Sequence, residues 1–266
     1  MPIKLILAHG ALGFGSNPFL KLVGIDYFRK IFESIDQDVI EVLEPSVNPV
    51  GTVNSRAKDL VIFINDKTEP TDEVHILAHS MGGLDARRVI LDKNNENIRE
   101  RIKTLVTIGT PHKGSEVADA IIKGTKITPQ LEPIVALLPD KLRGLSDLTT
   151  AECKKYLNED WSGIAIQKYC IAGNPKSANP PRKLSKLLYL ASKLGGIENK
   201  ASDGVVTRES ALLEGWQYLD DWPADHTELI GLNLDNPFSV ASDYIDRYIS
   251  LIEKITGMKK EDFYKS

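Results

Sequence analysis

Short apolar runs and stretches with helical spacing alternate along the chain, and this alternation limits the fold more than any other feature. Six apolar runs predict strands at residues 4–8, 38–43, 74–78, 103–108, 167–172 and 216–219. Five stretches with helical spacing predict helices at residues 27–35, 53–65, 84–91, 116–122 and 239–255. Strands that alternate with helices are typical of a mostly parallel sheet covered by helices on both faces. The sequence therefore predicts an α/β fold with a mostly parallel central sheet.

Two intervals interrupt the alternation and are predicted to be helical insertions. Residues 124–161 have no strand signal, and apolar residues recur there at helical spacing, namely Leu131, Ile134, Val135, Leu138 and Leu142. Residues 174–200 open with the loop-like NPKSANPPRK and continue as the helix-like LSKLLYLASKLGG. A chain of 266 residues, of which 42% are hydrophobic, can bury one large core. We expect a single domain, 1–266, with both insertions on one side of its sheet.

Charge, hydropathy and cysteine usage exclude several classes of protein. The formal net charge is −4 and the lysines are scattered, so no basic patch for nucleic acid is visible. The apolar stretch near residue 1 is broken by His9 and Gly10, which makes it too short for a signal peptide or a membrane span. Without a secretory signal, Cys153 and Cys170 are predicted to be reduced, partly buried thiols. These features together predict a cytoplasmic protein.

The stretch VHILAHSMGGLDARR, residues 74–88, places Ser80 between a predicted strand and a predicted helix. The small residues Ala78 and Gly82 frame the serine, as in the sharp strand-turn-helix motif that exposes a nucleophile. Developing negative charge is also stabilised at a helix N-terminus. An N-cap serine is the alternative interpretation. The small framing residues and the apolar strand favour the nucleophile.

A nucleophilic serine needs a base and an orienting carboxylate. His226 is the only histidine late in the chain, in the polar loop DDWPADHTE after the last predicted strand. Asp203, in the turn SDGVV, is the preferred acid, since a cap or a solvated turn better explains the aspartates nearer to His226, which are Asp220, Asp221 and Asp225. The chain order Ser, Asp, His is the order expected for this type of site.

The oxyanion formed by such a serine needs two backbone donors. The segment LAHGALGFG follows the first predicted strand, and Gly10 and Gly13 allow a tight loop that directs the Ala11 N–H into the site. The N–H of Met81 becomes available with the turn at Ser80. A glycine loop that only reverses the chain is the alternative.

Six blocks of the sequence resemble the bacterial triacylglycerol lipases of the α/β-hydrolase fold, particularly the Pseudomonas and Burkholderia lipases. The blocks are LAHGALGF, GIDYF, AHSMGG, IGTPHKGSEVAD, SDGVV and DHTE, in this order. The resemblance implies Ser80 as nucleophile, Asp203 as acid and His226 as base, with Ala11 and Met81 as oxyanion donors. It also implies that residues 124–161 correspond to the lid region of those lipases, so the insertions are expected to form a helical lid or cap.

The expected function is that of a serine carboxylic-ester hydrolase, a lipase or esterase that cleaves acyl esters through an acyl-enzyme. Its expected partner is an acyl-ester or lipid substrate, with transient contact to a lipid surface and no nucleic acid. The residues expected to line the acyl pocket are Leu12, Leu131, Val135 and Leu138. Packing of the apolar stripe on the core is the alternative for the last three. A thioesterase, an acyltransferase or a non-catalytic lipid-binding or partner-binding protein of the same fold are the alternative functions.

The resemblance also raises the question of a structural calcium ion. Family members often hold one through an aspartate two residues after the catalytic histidine and a second aspartate upstream of the acid. Glu228 occupies the first place here, and NPPRKLSKLL offers no partner for the second. We therefore expect no metal and no cofactor, and calcium is the less favoured alternative.

Overall fold

A computed structural model describes residues 3–11, 27–28, 30–124, 143–236, 239–241 and 243–263. Its strands within these ranges are β1 (Ile3–Ala8), β2 (Ile40–Leu43), β3 (Glu73–His79), β4 (Ile102–Ile108), β5 (Gln167–Gly173) and β6 (Gln217–Trp222). They form one parallel sheet in the order β2-β1-β3-β4-β5-β6. The α/β fold with a parallel central sheet is confirmed, and β3, which leads to Ser80, lies between β1 and β4.

Helices connect and cover the strands. The described α-helices are α1 (Val53–Lys67), α2 (Met81–Leu91), α3 (Glu96–Arg99), α4 (Glu116–Ile122), α5 (Arg143–Asp147), α6 (Thr150–Lys154), α7 (Lys186–Leu194), α8 (Arg208–Ala211) and α9 (Tyr244–Thr256). Four of them begin at a hydroxyl side chain that accepts a hydrogen bond from the first turn, namely Thr52, Ser115, Thr149 and Thr207. Such caps satisfy N–H groups that have no acceptor within the helix, which explains where these helices start.

The predicted helix at residues 27–35 is wrong. The described residues of this stretch form only a 3-10 turn at Phe32–Ser34. Lys30 has φ 62, a left-handed conformation that an α-helix cannot contain. Phe28 and Ile31 are nevertheless buried, so the apolar spacing there reflects burial of a loop rather than a helix. The predicted helix at residues 239–255 also begins later, since α9 starts at Tyr244.

The core occupies both faces of the sheet. Leu5 and Leu7 of β1 pack in the cluster that includes α9, whereas Ile6 and Ala8 pack in the cluster that includes α1 and α2. Successive side chains of a strand point to opposite faces, and both faces are apolar here because both are covered by helices. The central strands of the sheet are therefore buried on both faces, whereas the edge strand β6 is partly exposed.

The insertions are described in part. Residues 143–161 contain α5 and α6, and residues 174–200 contain α7. The predicted acyl-pocket residues Leu12, Leu131, Val135 and Leu138 lie outside the described residues, as do Gly13, Ile134 and Leu142. The single domain with two insertions stays a prediction.

Two further expectations concern the cysteines and the membrane. Cys153 and Cys170 are both buried and form no disulfide, as predicted, and burial raises the pKa of Cys153 to about 12. Among the helices that the structure describes, none is both long and apolar enough to cross a bilayer.

Candidate active site

Ser80 lies at the sharp turn between β3 and α2. Its backbone has φ 54 and ψ −128, an unusual conformation for a residue with a side chain. Although Ser80 occupies the cap position of α2, its side chain makes no cap hydrogen bond, and its Oγ lies 3.0 Å from His226 Nε2. A Cβ at Gly82 would approach the carbonyl oxygens of Ala8 and His9 to 2.6 and 2.8 Å, so only glycine fits where α2 begins. The small residue at position 82 lets α2 pack directly on the end of β1.

His226 and Asp203 complete a hydrogen-bonded series with Ser80. His226 Nδ1 lies 2.7 Å from Asp203 Oδ2, and the backbone N–H of His226 donates to the backbone carbonyl of Asp203 at 2.9 Å. The other carboxylate oxygen of Asp203 accepts the N–H groups of Val205 and Val206 at 2.9 and 2.7 Å. Asp203 is completely buried, and His226, in the loop after β6, is 8% exposed. An ionised Asp203 fixes the proton on Nδ1, which leaves Nε2 to accept the Ser80 hydroxyl proton.

Two glycines leave the room that this carboxylate occupies. Gly109 follows β4 and has φ 58, and a Cβ there would lie 3.1 Å from Asp203 Oδ2 and 2.7 Å from a Leu229 methyl carbon. Gly173 ends β5, and a Cβ there would lie 2.7 Å from the Asp203 Cβ. Such short separations are far inside ordinary van der Waals contact. Asp203 therefore sits over the carboxyl ends of β4 and β5 because both positions lack a side chain.

The aspartates that compete for the role of acid have other partners. Asp225 Oδ1 accepts the N–H groups of Thr227 and Glu228, and its Oδ2 accepts the Ser185 N–H. Asp221 pairs with Arg208 at 2.8 Å. Asp225 thus caps the turn that carries His226, which agrees with the structural interpretation of this residue from the sequence.

The predicted oxyanion loop passes directly against Ser80. A Cβ at Gly10 would come within 2.6 Å of the Ser80 Cβ, so the loop backbone contacts the serine. Ala11 packs in the same apolar cluster as Met81. The Met81 N–H is the first of α2 and has no acceptor within that helix. The two predicted donor residues therefore share one apolar cluster, and the loop that leads to Ala11 contacts Ser80.

A network of buried polar side chains surrounds this loop. The Gly10 N–H donates to the Tyr27 hydroxyl at 2.7 Å, and this hydroxyl lies 2.7 Å from His79 Nδ1. Arg56 donates to the His9 carbonyl at 2.6 Å and pairs with Asp85 at 2.8 Å. Arg56 is fully buried and Asp85 is 1% exposed. Burial raises the pKa of Asp85 to about 7, although Arg56 acts against this increase.

The histidines of the network are neutral. Burial, together with the Arg56 cation, lowers the pKa of His9 to about 4. Burial and then the neighbouring His226 hold the pKa of His79 well below its usual value. Its ring centroid lies 4.7 Å from that of His226. The His79 ring is therefore uncharged at neutral pH, and it lies beside the His226 ring that would act as the base.

Sequence reasoning missed Tyr27, His79, Arg56 and Asp85 as parts of the site. Arg56 did leave a signal, because it shares one face of α1 with the buried Leu60 and Ile64 at intervals of four residues. A charged residue on the apolar stripe of a helix must find a buried partner. The sequence does not indicate which residue that partner is.

The described residues do not fit the calcium site of the family that the sequence resembles. Glu228, at the first ligand position, accepts the Asp225 N–H at 3.1 Å and an Asn233 amide N–H at 3.1 Å. Over the described part of the chain, no three His, Cys, Asp or Glu side chains are grouped as metal ligands. The absence of a metal or cofactor stays a prediction.

Known proteins share both the sequence pattern and the fold. A family model of a PGAP1-like alpha/beta domain matches residues 45–131. Triacylglycerol lipase 2 of Saccharomyces cerevisiae is 34% identical over 203 residues, which are 73% of this chain and 59% of that protein. A triacylglycerol lipase of Vibrio cholerae is 27% identical over 260 residues, which are 85% of this chain and 78% of that protein. The chain thus spans less than two thirds of the yeast protein's length.

Solved structures extend the likeness to the whole fold. The mature lipase BlEst2 of Bacillus licheniformis superposes with a TM-score of 0.67 at 20% identity and covers 86% of each chain. The Staphylococcus hyicus lipase superposes with a TM-score of 0.66 at 16% identity over 98% of this chain and 97% of its own. The parallel sheet and the turn at Ser80 define an α/β-hydrolase fold. Within this fold class, the chain is similar in sequence to triacylglycerol lipases.

Proposed function

We propose that this protein is a serine carboxylic-ester hydrolase that cleaves acyl esters through an acyl-enzyme intermediate. One observation carries the proposal. A continuous hydrogen-bonded series runs from Ser80 Oγ through both ring nitrogens of His226 to the buried carboxylate of Asp203. A cap serine and an ordinary loop histidine do not require this arrangement. A nucleophile, its base and the orienting acid do require it.

The reaction begins when Ser80 Oγ attacks the ester carbonyl carbon and its proton passes to His226 Nε2. The carbonyl oxygen becomes an oxyanion, which accepts hydrogen bonds from the Met81 and Ala11 N–H groups. The bond from carbon to the alcohol oxygen then breaks, and His226 returns the proton to the departing alcohol. Water repeats the sequence on the acyl-enzyme with His226 as base, and the acid is released. Asp203 stays ionised and stabilises the imidazolium in both halves.

Lipid esters are the proposed class of substrate. Several relatives are named triacylglycerol lipases, and one solved neighbour is a carboxyl esterase. The expectation that Leu12, Leu131, Val135 and Leu138 line an acyl pocket rests on the sequence alone. Hydrolysis of p-nitrophenyl esters of increasing acyl length would test it, because each buried methylene contributes roughly 0.8 kcal/mol.

Labelling with a fluorophosphonate tests the proposed nucleophile. The wild-type protein should take up one phosphonyl group on the peptide that contains Ser80, and Ser80→Ala should take up none. Ser55→Ala, at an exposed position of α1, is the matched control and should label as the wild type does. A label found on a peptide without Ser80, or no ester hydrolysis by the wild type, would contradict the proposal.

A further inference from the structure

The loop that carries the predicted oxyanion donor is fixed from several sides by residues outside the proposed triad. Building on the proposed function, we propose that His9 and Arg56 are positioning residues that hold the Gly10–Ala11 peptide group and so direct the Ala11 N–H toward the developing oxyanion. Neither side chain acts on the substrate. Each acts on a backbone carbonyl of the loop.

The His9 ring fixes the peptide group that ends in the Ala11 N–H. The Gly10 carbonyl can only accept, so the His9 Nδ1 that lies 2.9 Å from it carries the proton. His9 Nε2 then accepts the Val47 N–H at 3.4 Å. A peptide group is planar and trans, so its N–H points opposite to its carbonyl. When His9 holds the Gly10 carbonyl, the Ala11 N–H is turned to the other side of the loop.

Arg56 fixes the preceding peptide group. Its guanidinium donates to the His9 carbonyl at 2.6 Å and to the Asn48 carbonyl at 3.0 Å, and its Nε donates to Asp85 at 2.8 Å. Asp85 lies on α2, the helix that begins directly after Ser80. The pair therefore joins the loop to the helix that carries the second donor, Met81. The Arg56 cation also helps to keep His9 neutral, with its pKa at about 4.

The flexibility of Gly10 explains why these hydrogen bonds to the loop carbonyls are needed. A glycine visits many backbone conformations, so the peptide groups on both sides of it can rotate. No larger residue fits, because a Cβ at position 10 would collide with Ser80 and with the Tyr27 hydroxyl. The loop must therefore contain a flexible residue, and His9, Arg56 and Tyr27 supply the order that Gly10 does not. Preorganised donors act mainly on the transition state, so loss of this order should lower kcat rather than raise KM.

Two substitutions at position 9 separate positioning from packing. His9→Asn places an amide N–H near the position of Nδ1, whereas His9→Gln places it near that of Nε2. We expect kcat of the Gln variant to fall about a hundredfold with KM within about twofold, as for loss of one oxyanion donor. The Asn variant should keep a kcat at least about tenfold above that of the Gln variant. A trifluoromethyl ketone that forms a tetrahedral adduct with Ser80 should lose affinity in parallel with kcat.

Arg56→Met tests the hydrogen bond from Arg56 to the His9 carbonyl, and Arg101→Met is its matched control. Arg101 is also buried, but it directly precedes β4, at the end of the sheet opposite to Ser80. There it donates to the backbone carbonyl and the side-chain oxygen of Thr68. Both variants should lower Tm, because both leave buried acceptors without a donor. Only Arg56→Met should lower kcat and the affinity for the ketone. This pair decides the question if neither His9 variant folds.

The outcomes for the inference and for the proposed function differ. No fluorophosphonate label on wild-type Ser80 would overturn the proposed function, and the inference with it. A labelled, active wild type with equal kcat in His9→Asn and His9→Gln, and with ketone affinity unchanged in Arg56→Met, would overturn the inference alone. Equal losses of kcat in Arg56→Met and Arg101→Met would likewise show a general effect of destabilisation.

Discussion

Three of the described helices begin directly after a serine, and two of these serines, Ser80 and Ser115, use their hydroxyl groups differently. Ser115 precedes α4 with φ −126 and ψ 122, and its Oγ accepts the Ala118 N–H and donates to the Val205 carbonyl. Ser80 precedes α2 with φ 54, makes no cap bond, and presents its Oγ to His226. The residue type and its position relative to the helix are the same. Ser115, with a negative φ, uses its hydroxyl group to cap its helix, whereas Ser80, with a positive φ, directs its hydroxyl group to His226.

The difference has a cost in stability at Ser80. A missing cap bond costs about 1 kcal/mol, and a strained backbone conformation costs about 1–3 kcal/mol. The contacts of α2 offset this cost, because nine of its eleven residues are buried against β1, β3 and neighbouring helices. Ser115 has an ordinary conformation and adds a cap. The start of a helix can therefore be fixed either by its cap or by tertiary packing.

Substitution by alanine separates the two serines by their effect on activity. Ser80→Ala should lower kcat by about 10⁶, because only the oxyanion donors and binding remain. Ser115→Ala should keep most of the wild-type kcat but lose about 1 kcal/mol of unfolding free energy with its cap. Steady-state ester hydrolysis and urea unfolding of both variants measure the two effects. Turnover by Ser80→Ala above about a tenth of the wild-type value would contradict the proposal that Ser80 is the nucleophile.

The next effect concerns the acid that orients the partner of Ser80. Asp203→Asn should lower kcat by about 10⁴, because it keeps the shape of the acid while favouring the wrong tautomer of His226. Asp225→Asn is the control, since Asp225 caps the same loop without bonding the His226 ring. We expect it to change stability more than kcat. A larger loss of kcat in Asp225→Asn would move the acid into the His226 loop.

An acid titration tests the surroundings of Ser80 through His9. The pKa of His9 is about 4 in the folded protein and 6.5 in the unfolded chain. Between these values only the unfolded chain binds the proton, so the stabilising contribution is complete above pH 6.5 and is lost as the pH falls toward 4. The loss amounts to about 3 kcal/mol. Unfolding free energies of His9→Asn should therefore fall less steeply with acid than those of the wild type.

The matched control for this titration is a substitution at Ser115, which precedes α4. Ser115→Ala removes a cap but leaves every histidine in place, so its unfolding free energy should fall with acid in parallel with the wild type. Equal slopes for His9→Asn and Ser115→Ala would show that His9 does not account for the acid sensitivity.

The smallest effect compares glycine at the two positions. Ser80→Gly should raise the free energy of unfolding by about 1 kcal/mol, because glycine adopts φ 54 without strain. Ser115→Gly should lower it by about 1 kcal/mol, since glycine is a tolerable cap but cannot donate to the Val205 carbonyl. Differential scanning calorimetry of both variants would give opposite shifts of Tm. Tm shifts of the same sign would mean that backbone strain at Ser80 does not distinguish it from Ser115.

Much of the fold follows from hydrophobic spacing, and the exceptions have identifiable causes. All six strands were predicted within three residues of their ends, and α4 was predicted with its observed ends. Strand β6 was predicted too short, because its carboxyl half contains Asp220 and Asp221 and most of its residues are not fully buried. The helix at residues 27–35 failed at Lys30, since a positive φ at a non-glycine residue leaves no mark in the sequence.

The site was predictable where chemistry requires a fixed order of residues along the chain. Ser80 and His226 were chosen by their positions after strands and Asp203 by its turn and its place in the chain order. The structure places both Ser80 and Asp203 within hydrogen-bonding distance of His226. Arg56 and Asp85 were not found, because they meet only after α1 and α2 pack together. Contacts between buried polar groups on separate elements depend on tertiary geometry, which single-sequence periodicity does not encode.

Gly109 and Gly173 show how much this arrangement depends on atoms that are not there. Neither residue has a side chain that could take part in hydrolysis, yet a Cβ at Gly173 would collide with Asp203, and one at Gly109 would collide with Leu229 and crowd Asp203. In a library of random variants, most replacements at these two positions should inactivate the enzyme, whereas many exposed charged residues should tolerate change. Mutational sensitivity in this protein will therefore outline the volume reserved for the acid as clearly as it marks the reacting groups.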